Sequence, residues 1–239
     1  MLELININKS YGNHKVLHNI NLKLNCGEIF GFLGLNGAGK TSTIKIITGI
    51  LNADSGDVLL KGNYIKKDSI QYKKKLGYVP CESDVFLRLT GIEYLNFIAD
   101  MYEVPLETRQ ERILQLTNKF EINNVLTDKI KTFSHGMRKK LIMIGSLLHS
   151  PNLWILDEPM IGLDAKSSFE LKKIMRDYAN KGNTVFFSTH VLEVAENICD
   201  RVAIINDGLI LFCGTIPEMR NHFNEYKSLE KMFLEMTSK

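Results

Sequence analysis

Residues 29–42 read Ile29-Phe30-Gly31-Phe32-Leu33-Gly34-Leu35-Asn36-Gly37-Ala38-Gly39-Lys40-Thr41-Ser42. The first five form an apolar run that does not alternate, which suits a strand covered on both faces. From Gly34 the chain satisfies G-x-x-x-x-G-K-[ST], and Ile44, Ile46, Ile47 and Ile50 continue it as an apolar helix. A strand, a glycine-rich turn and a helix together make a cradle for a polyphosphate. The glycines let successive N–H groups point inward, and the helix beginning near Lys40 adds its positive N-terminal end. Lys40 brings a mobile cation to the outer phosphates, and Thr41 offers a hydroxyl to a magnesium ion bridging them. Gly34, Leu35, Asn36, Gly37, Ala38, Gly39, Lys40, Thr41 and Ser42 are therefore the expected nucleotide-binding run.

A second run, Leu153-Trp154-Ile155-Leu156, has the same non-alternating character and ends in Asp157-Glu158-Pro159. Ligands of open parallel sheets bind at strand carboxyl ends, so the two carboxylates fall where the cradle needs partners. Asp157 is expected to hold magnesium through a water, and Glu158 to polarise the water that attacks the γ-phosphate. Thr184-Val185-Phe186-Phe187 and Val202-Ala203-Ile204-Ile205 add two further buried strands. Helix-period segments such as Leu171 to Ala179 separate them, which predicts a mostly parallel sheet with helices on its faces. Asn206-Asp207-Gly208 reads as a hairpin turn.

Upstream, Ile20, Leu22 and Leu24 alternate with Asn21 and Lys23, the pattern of an antiparallel sheet with one face in water. Between about Thr90 and His149 the pattern becomes helical. There Ile92, Leu95, Ile98, Ala99, Met101 and Tyr102 are spaced for one apolar face, which predicts a helical lobe inserted in the α/β core. Residues from Pro217 to Lys239 read as a short helical tail, and no internal repeat or low-complexity tract is evident. At 239 residues, 44% of them apolar, the chain can build one substantial core. Its 30 basic and 27 acidic residues are interspersed, so the net +3 does not mark a nucleic-acid binder. Cys26, Cys81, Cys199 and Cys213 show no metal-ligand spacing and are expected to be reduced thiols. The start has no basic segment followed by an apolar run, and no stretch approaches the roughly 20 apolar residues of a bilayer span, so a cytosolic protein with peripheral membrane contact is expected.

Phe133-Ser134-His135-Gly136-Met137 narrows the choice among nucleotide hydrolases, because it resembles the LSGGQ signature of ATP-binding cassette (ABC) ATPases and stands one helix and a turn before Asp157. Gly162-Leu163-Asp164 resembles the D-loop of that family, Ser188-Thr189-His190 its switch histidine, and Tyr11 its adenine-stacking aromatic. The resemblance covers nearly the whole chain. It implies one ABC ATPase domain over residues 1–239: a P-loop NTPase core with a mostly parallel sheet, an N-terminal antiparallel β subdomain, a helical subdomain at about 84–150 and a tail at 217–239. By the same resemblance the cofactors are ATP and Mg2+. Glu158 and His190 are catalytic, Thr41 and Asp157 hold the metal, and Tyr11, Ser134, Gly136, Met137 and Asp164 join the cradle in binding ATP. Ser134 also suits a helix N-cap, a role compatible with ATP contact.

In the family the signature of one subunit closes over ATP held by another. The resemblance thus implies a second cassette, identical or different, and a separate transmembrane permease that places the chain at the cytoplasmic face of the cell membrane. The tail Leu229 to Thr237 and the signature variants His135 and Met137 resemble cassettes of drug, bacteriocin and antimicrobial-peptide exporters. One departure is Cys81, after Leu76-Gly77-Tyr78-Val79-Pro80, where the family commonly has a glutamine. Either Glu82, which follows it, substitutes, or the glutamine's contact is missing and coupling rests on neighbouring residues. The alternatives are a regulatory cassette that binds ATP with little hydrolysis and a non-transport ABC ATPase.

Overall fold

The computed structural model describes residues 1–66, 69–83, 86–222 and 229–237. β1 (Leu2–Tyr11) and β2 (His14–Leu24) pair antiparallel. On β2 the expected alternation holds, with Ile20, Leu22 and Leu24 buried and Asn21 and Lys23 exposed. On β1, Leu4 and Ile7 are both buried although the spacing between them is odd. A bulge reconciles this: Asn6 turns to φ +53°, and its N–H donates to Asn21 Oδ1 at 2.9 Å.

β3 (Ile29–Leu33) leads into α1 (Lys40–Ile47), and β4 (Ser55–Leu60) and β5 (Asn63–Tyr64) complete a first sheet of order β2-β1-β4-β5. α1 stops before Ile50, because Gly49 takes φ +68° and ends it. Ile50 is consequently 61% exposed instead of sharing the face of Ile44, Ile46 and Ile47.

α2 (Ser69–Lys73) and β6 (Leu76–Val79) follow, and then α3 (Gly91–Met101), α4 (Leu106–Lys119) and α5 (His135–Leu147) lie between β6 and β7 (Leu153–Asp157). Thr90 caps α3 in a capping box with Glu93. The covered face of α3 is set by Gly91, Tyr94, Leu95 and Ala99. Met101, predicted on that face, falls in the last turn and is 62% exposed. Residues 84–85, with which the predicted helical subdomain begins, lie outside the described residues.

α6 (Ala165–Asn180), β8 (Thr184–Thr189), α7 (Leu192–Ile198), β9 (Arg201–Asn206) and β10 (Leu209–Gly214) complete a second sheet of order β10-β9-β3-β8-β7-β6. All its pairs are parallel except β10 with β9. That last pair is a hairpin whose loop residues Asp207 and Gly208 both have positive φ, as a type I′ turn demands. The lack of alternation in the central strands has a direct cause. Trp154, Leu156, Val185 and Phe187 pack toward α5 and α6, whereas Ile155, Phe186, Phe30 and Phe32 pack toward α1 and the first sheet.

α8 (Ile216–His222) and α9 (Leu229–Thr237) form the tail, with 223–228 and 238–239 outside the described residues. Met232 and Phe233 of α9 are buried with Ala195, Val202 and Ile204, so this segment is part of a third apolar cluster. Among the described residues no helix is long and apolar enough to cross a membrane.

Candidate nucleotide site

Parallel register sets the site. Leu33 lies opposite Thr189 and Asp157 opposite Ser188, which levels the carboxyl ends of the adjacent strands β3, β8 and β7. The chain leaves β3 through a turn in which glycine is required at two points. At Gly34 a Cβ would stand 2.6 Å from the carbonyl oxygen of Ile205, and Gly39 has φ +108° with Leu17 at 2.7 Å from a would-be Cβ. α1 then starts at Lys40. A cleft of about 540 Å³ opens above these strand ends.

Lys40 is 5% exposed. Its Nζ donates to the carbonyls of Gly34 at 2.8 Å and Leu35 at 3.2 Å and lies 3.4 Å from Glu158 Oε1. Thr41 Oγ1 donates to Asp157 Oδ2 at 3.0 Å, and Ser188 Oγ donates to Asp157 Oδ1 at 2.5 Å. The N–H of Glu158 in turn donates to Ser188 Oγ at 3.0 Å, and His190 Nδ1 is 3.1 Å from Glu158 Oε1. Glu158 adopts φ +48°, a left-handed conformation unusual for a residue with a side chain. The cradle, the acid pair and the histidine predicted from sequence thus meet in one cleft.

The donors facing the outer end of the cradle are oxygens, the Thr41 hydroxyl and the Asp157 carboxylate, which is the chemistry Mg2+ selects. Such an ion would complete its shell with phosphate oxygens and water. Among the described residues no group of three or more His, Cys, Asp or Glu could hold an ion.

Other predicted residues fall elsewhere. Tyr11 is 50% exposed at the end of β1, with its hydroxyl 3.5 Å from Ser42 Oγ at the cradle's rim. Ala38 is buried beneath the turn. Ser134 caps α5, its Oγ accepting from the N–H of Met137 at 3.2 Å, and Asp164 caps α6 by accepting from the N–H and hydroxyl of Ser167, both at 2.8 Å. Those two bonds hold the Asp164 carboxyl below its ordinary pKa. Ser134, Gly136, Met137 and Asp164 do not line the cleft that holds Lys40. The signature turn instead packs on the Asp164 turn: a Cβ on Gly136 would be 3.2 Å from the carbonyl of Gly162.

Cys81 lines the cleft while Glu82 is exposed. Burial pushes the Cys81 thiol up, so it stays protonated and neutral. Three further features escape sequence reasoning. Ser188 joins Asp157 to the backbone of Glu158. Buried Ser83 lies 3.2 Å from His135 Nδ1. Lys139, fully buried in α5, donates to two carbonyls of the turn after β7. For Lys139 alone a signal existed, since it stands three and four residues before Ile142 and Met143 on the apolar face of its helix.

A phosphate cradle after β3, faced by consecutive carboxylates from a neighbouring parallel strand, defines the molecule as a P-loop nucleoside triphosphatase. The profile of the ABC transporter family matches residues 17–161, and the chain belongs to that family as one of its ATP-hydrolysing cassettes. It is 36% identical over 219 residues to the linearmycin resistance ATP-binding protein LnrL of Bacillus subtilis, covering 92% of this chain and 70% of LnrL. It is 31% identical over 233 residues to the lantibiotic transport ATP-binding protein SrtF of Streptococcus pyogenes, covering 98% and 96%. A solved ATP-binding subunit of an ABC transporter superposes with TM-score 0.95 at 30% identity over the full length of both chains.

Proposed function

We propose that this chain is a single ATPase domain, with its helical part at about 84–150, that powers export through a separate membrane permease. It works at the cytoplasmic face of the membrane as one of two cassettes closing head to tail on ATP. The observation that carries the reading is the placement of Glu158 Oε1 within 3.4 Å of Lys40 Nζ and 3.1 Å of His190 Nδ1. One carboxylate thereby touches both the cation meant for the phosphates and the side chain meant for the γ-phosphate.

Backbone N–H groups of residues 34 to 41 and the start of α1 bind the phosphates, and Tyr11 stacks on the base. Lys40 exchanges its carboxylate partner for phosphate oxygens, which frees Glu158 to accept a proton from the attacking water. His190 is positioned by Glu158 toward the γ-phosphate. Thr41 and Asp157 would hold Mg2+, which would supply positive charge to offset that of the phosphates. Ser134, Gly136 and Met137, at the N-terminus of α5 and off the chain's own cleft, close over ATP held by the second cassette, with Asp164 beside them. The names of LnrL and SrtF, resistance to one antimicrobial and transport of another, support export.

The test is Glu158→Gln. The amide keeps the reach of the side chain but cannot take the water's proton, and losing a positioned base slows hydrolysis by about 10² to 10⁴-fold. Binding persists because Lys40, Thr41 and Asp157 are untouched, so the closed pair accumulates. Gel filtration is expected to show a dimer with MgATP and a monomer with MgADP. Full hydrolysis would remove Glu158 as base, and a monomer with both nucleotides would direct attention to a second, different cassette.

A further inference from the structure

We propose that Lys139 is a positioning residue for hydrolysis, fixing through the Glu158 carbonyl the backbone that aims the Glu158 carboxylate, and tying that backbone to the helix that begins with the signature. The inference rests on the reading of Glu158 as the base.

Lys139 has no exposed surface. Its Nζ donates to the carbonyl of Glu158 at 2.6 Å and to that of Ile161 at 3.0 Å. Desolvation opposes a buried ammonium, and an apolar side chain of equal length would fill the same space more favourably, so packing alone does not account for a lysine here. Burial pushes its pKa down, while neighbouring Cys81, Glu158 and Asp157 act in the opposite direction. Both acceptors belong to one short turn, residues 158–161, which directly follows the strand end at Asp157.

That turn is where the backbone departs from ordinary geometry. Glu158 sits at φ +48°, and it needs that conformation for its N–H to meet Ser188 Oγ at 3.0 Å while its carboxylate faces Lys40 and His190. A sparsely populated conformation persists only where its surroundings over-determine it. Ser188 holds the N–H side of Glu158 and Lys139 holds the carbonyl side, so the residue is clamped at both ends. The second clamp comes from α5, whose N-cap is Ser134 and whose first turn includes Gly136. Lys139 follows Ser134 by five residues and Gly136 by three on the same rigid helix, so a displacement of the signature is passed to the carbonyl of Glu158.

The experiment compares Lys139→Met, Lys139→Gln, Glu158→Gln and the Lys139→Met/Glu158→Gln double variant of the full chain. It measures steady-state and single-turnover ATP hydrolysis, MgATP affinity by calorimetry and thermal unfolding. Misaiming a reacting group by about 1 Å lowers a rate by about 10²-fold. Lys139→Met is therefore expected to lower kcat about 10- to 100-fold while KM and affinity move less than about threefold. Lys139→Gln, whose amide NH2 can still donate to these carbonyls, should recover part of the rate. In the Glu158→Gln background Lys139→Met should add no further loss, because both act through one carboxylate. A wild-type kcat in folded Lys139→Met overturns the proposal. So does a loss that multiplies in the double variant, or one that tracks the folded fraction; if Lys139→Met does not fold, Lys139→Gln is read against the same criteria. Full activity in Glu158→Gln would instead overturn the base assignment beneath it.

Discussion

Lys40 neutralises a carboxylate and satisfies two carbonyls within one turn of chain, and this is why its neighbours can be so crowded with oxygen. Lys40→Ala should leave the fold intact but weaken MgATP binding by about 10- to 100-fold, the worth of a charge-assisted bond to phosphate. Calorimetry that finds unchanged affinity would remove the cradle from the argument. Cys81 presents the opposite case. Its thiol is neutral in the cleft, so Cys81→Ser, which exchanges one small neutral group for another, should keep ATP turnover within about threefold. Abolished turnover in a folded variant would assign the thiol a role. Lys40, Thr41, Asp157 and Glu158 were legible because their spacing is tied to a strand and a helix. The roles of Ser188 and Lys139 were not, because they depend on which atoms of Asp157 and the turn after β7 the fold brings beside them from 19 to 31 residues away, even though the place of Lys139 on an apolar helix face marked it as unusual.

Strands and helices were read well where periodicity and burial coincide, as in Ile29–Leu33 and Leu153–Asp157, and poorly where a boundary intervened. Ile50 shares the apolar rhythm of α1 yet lies past Gly49, and Met101 shares that of α3 yet lies in its last turn. Where elements join, His149 carries a pH dependence. Its ring stacks on Tyr102 at 3.7 Å, and Nε2 donates to the carbonyl of Leu76 at 2.8 Å, an acceptor that settles which nitrogen holds the hydrogen. Among the described residues Nδ1 is buried without a partner. Burial holds the imidazole neutral, with its pKa lowered to about 4 from 6.5. The unfolded chain takes up a proton as pH falls below 6.5 and the folded one does not until about 4, so stability falls through that window, by up to roughly 3 kcal/mol. Denaturation at pH 7 and pH 5 should show wild type losing about 2 kcal/mol more than His149→Phe. Equal losses would contradict it.

At the scale of the molecule, two sheets meet over α1, and the helices from Gly91 to Leu147 stand between adjacent strands β6 and β7. The succession of buried strands and helical segments made this division legible, and the signature before Asp157 gave the family. The placement of Ser134 and Asp164 away from the chain's own cleft could not be read from spacing, since it depends on how α5 crosses the sheet. The strand order also governs how the molecule is made. β8, residues 184–189, is inserted between β3 and β7, both of which are synthesised earlier. A nascent chain that ends between residues 158 and 184 therefore carries every atom of the phosphate loop and both carboxylates, but lacks the strand that sets their distance. Nucleotide can act as a folding ligand only after that strand has left the ribosome, and until then the edges of β3 and β7 that face it are unpaired and open to wrong partners.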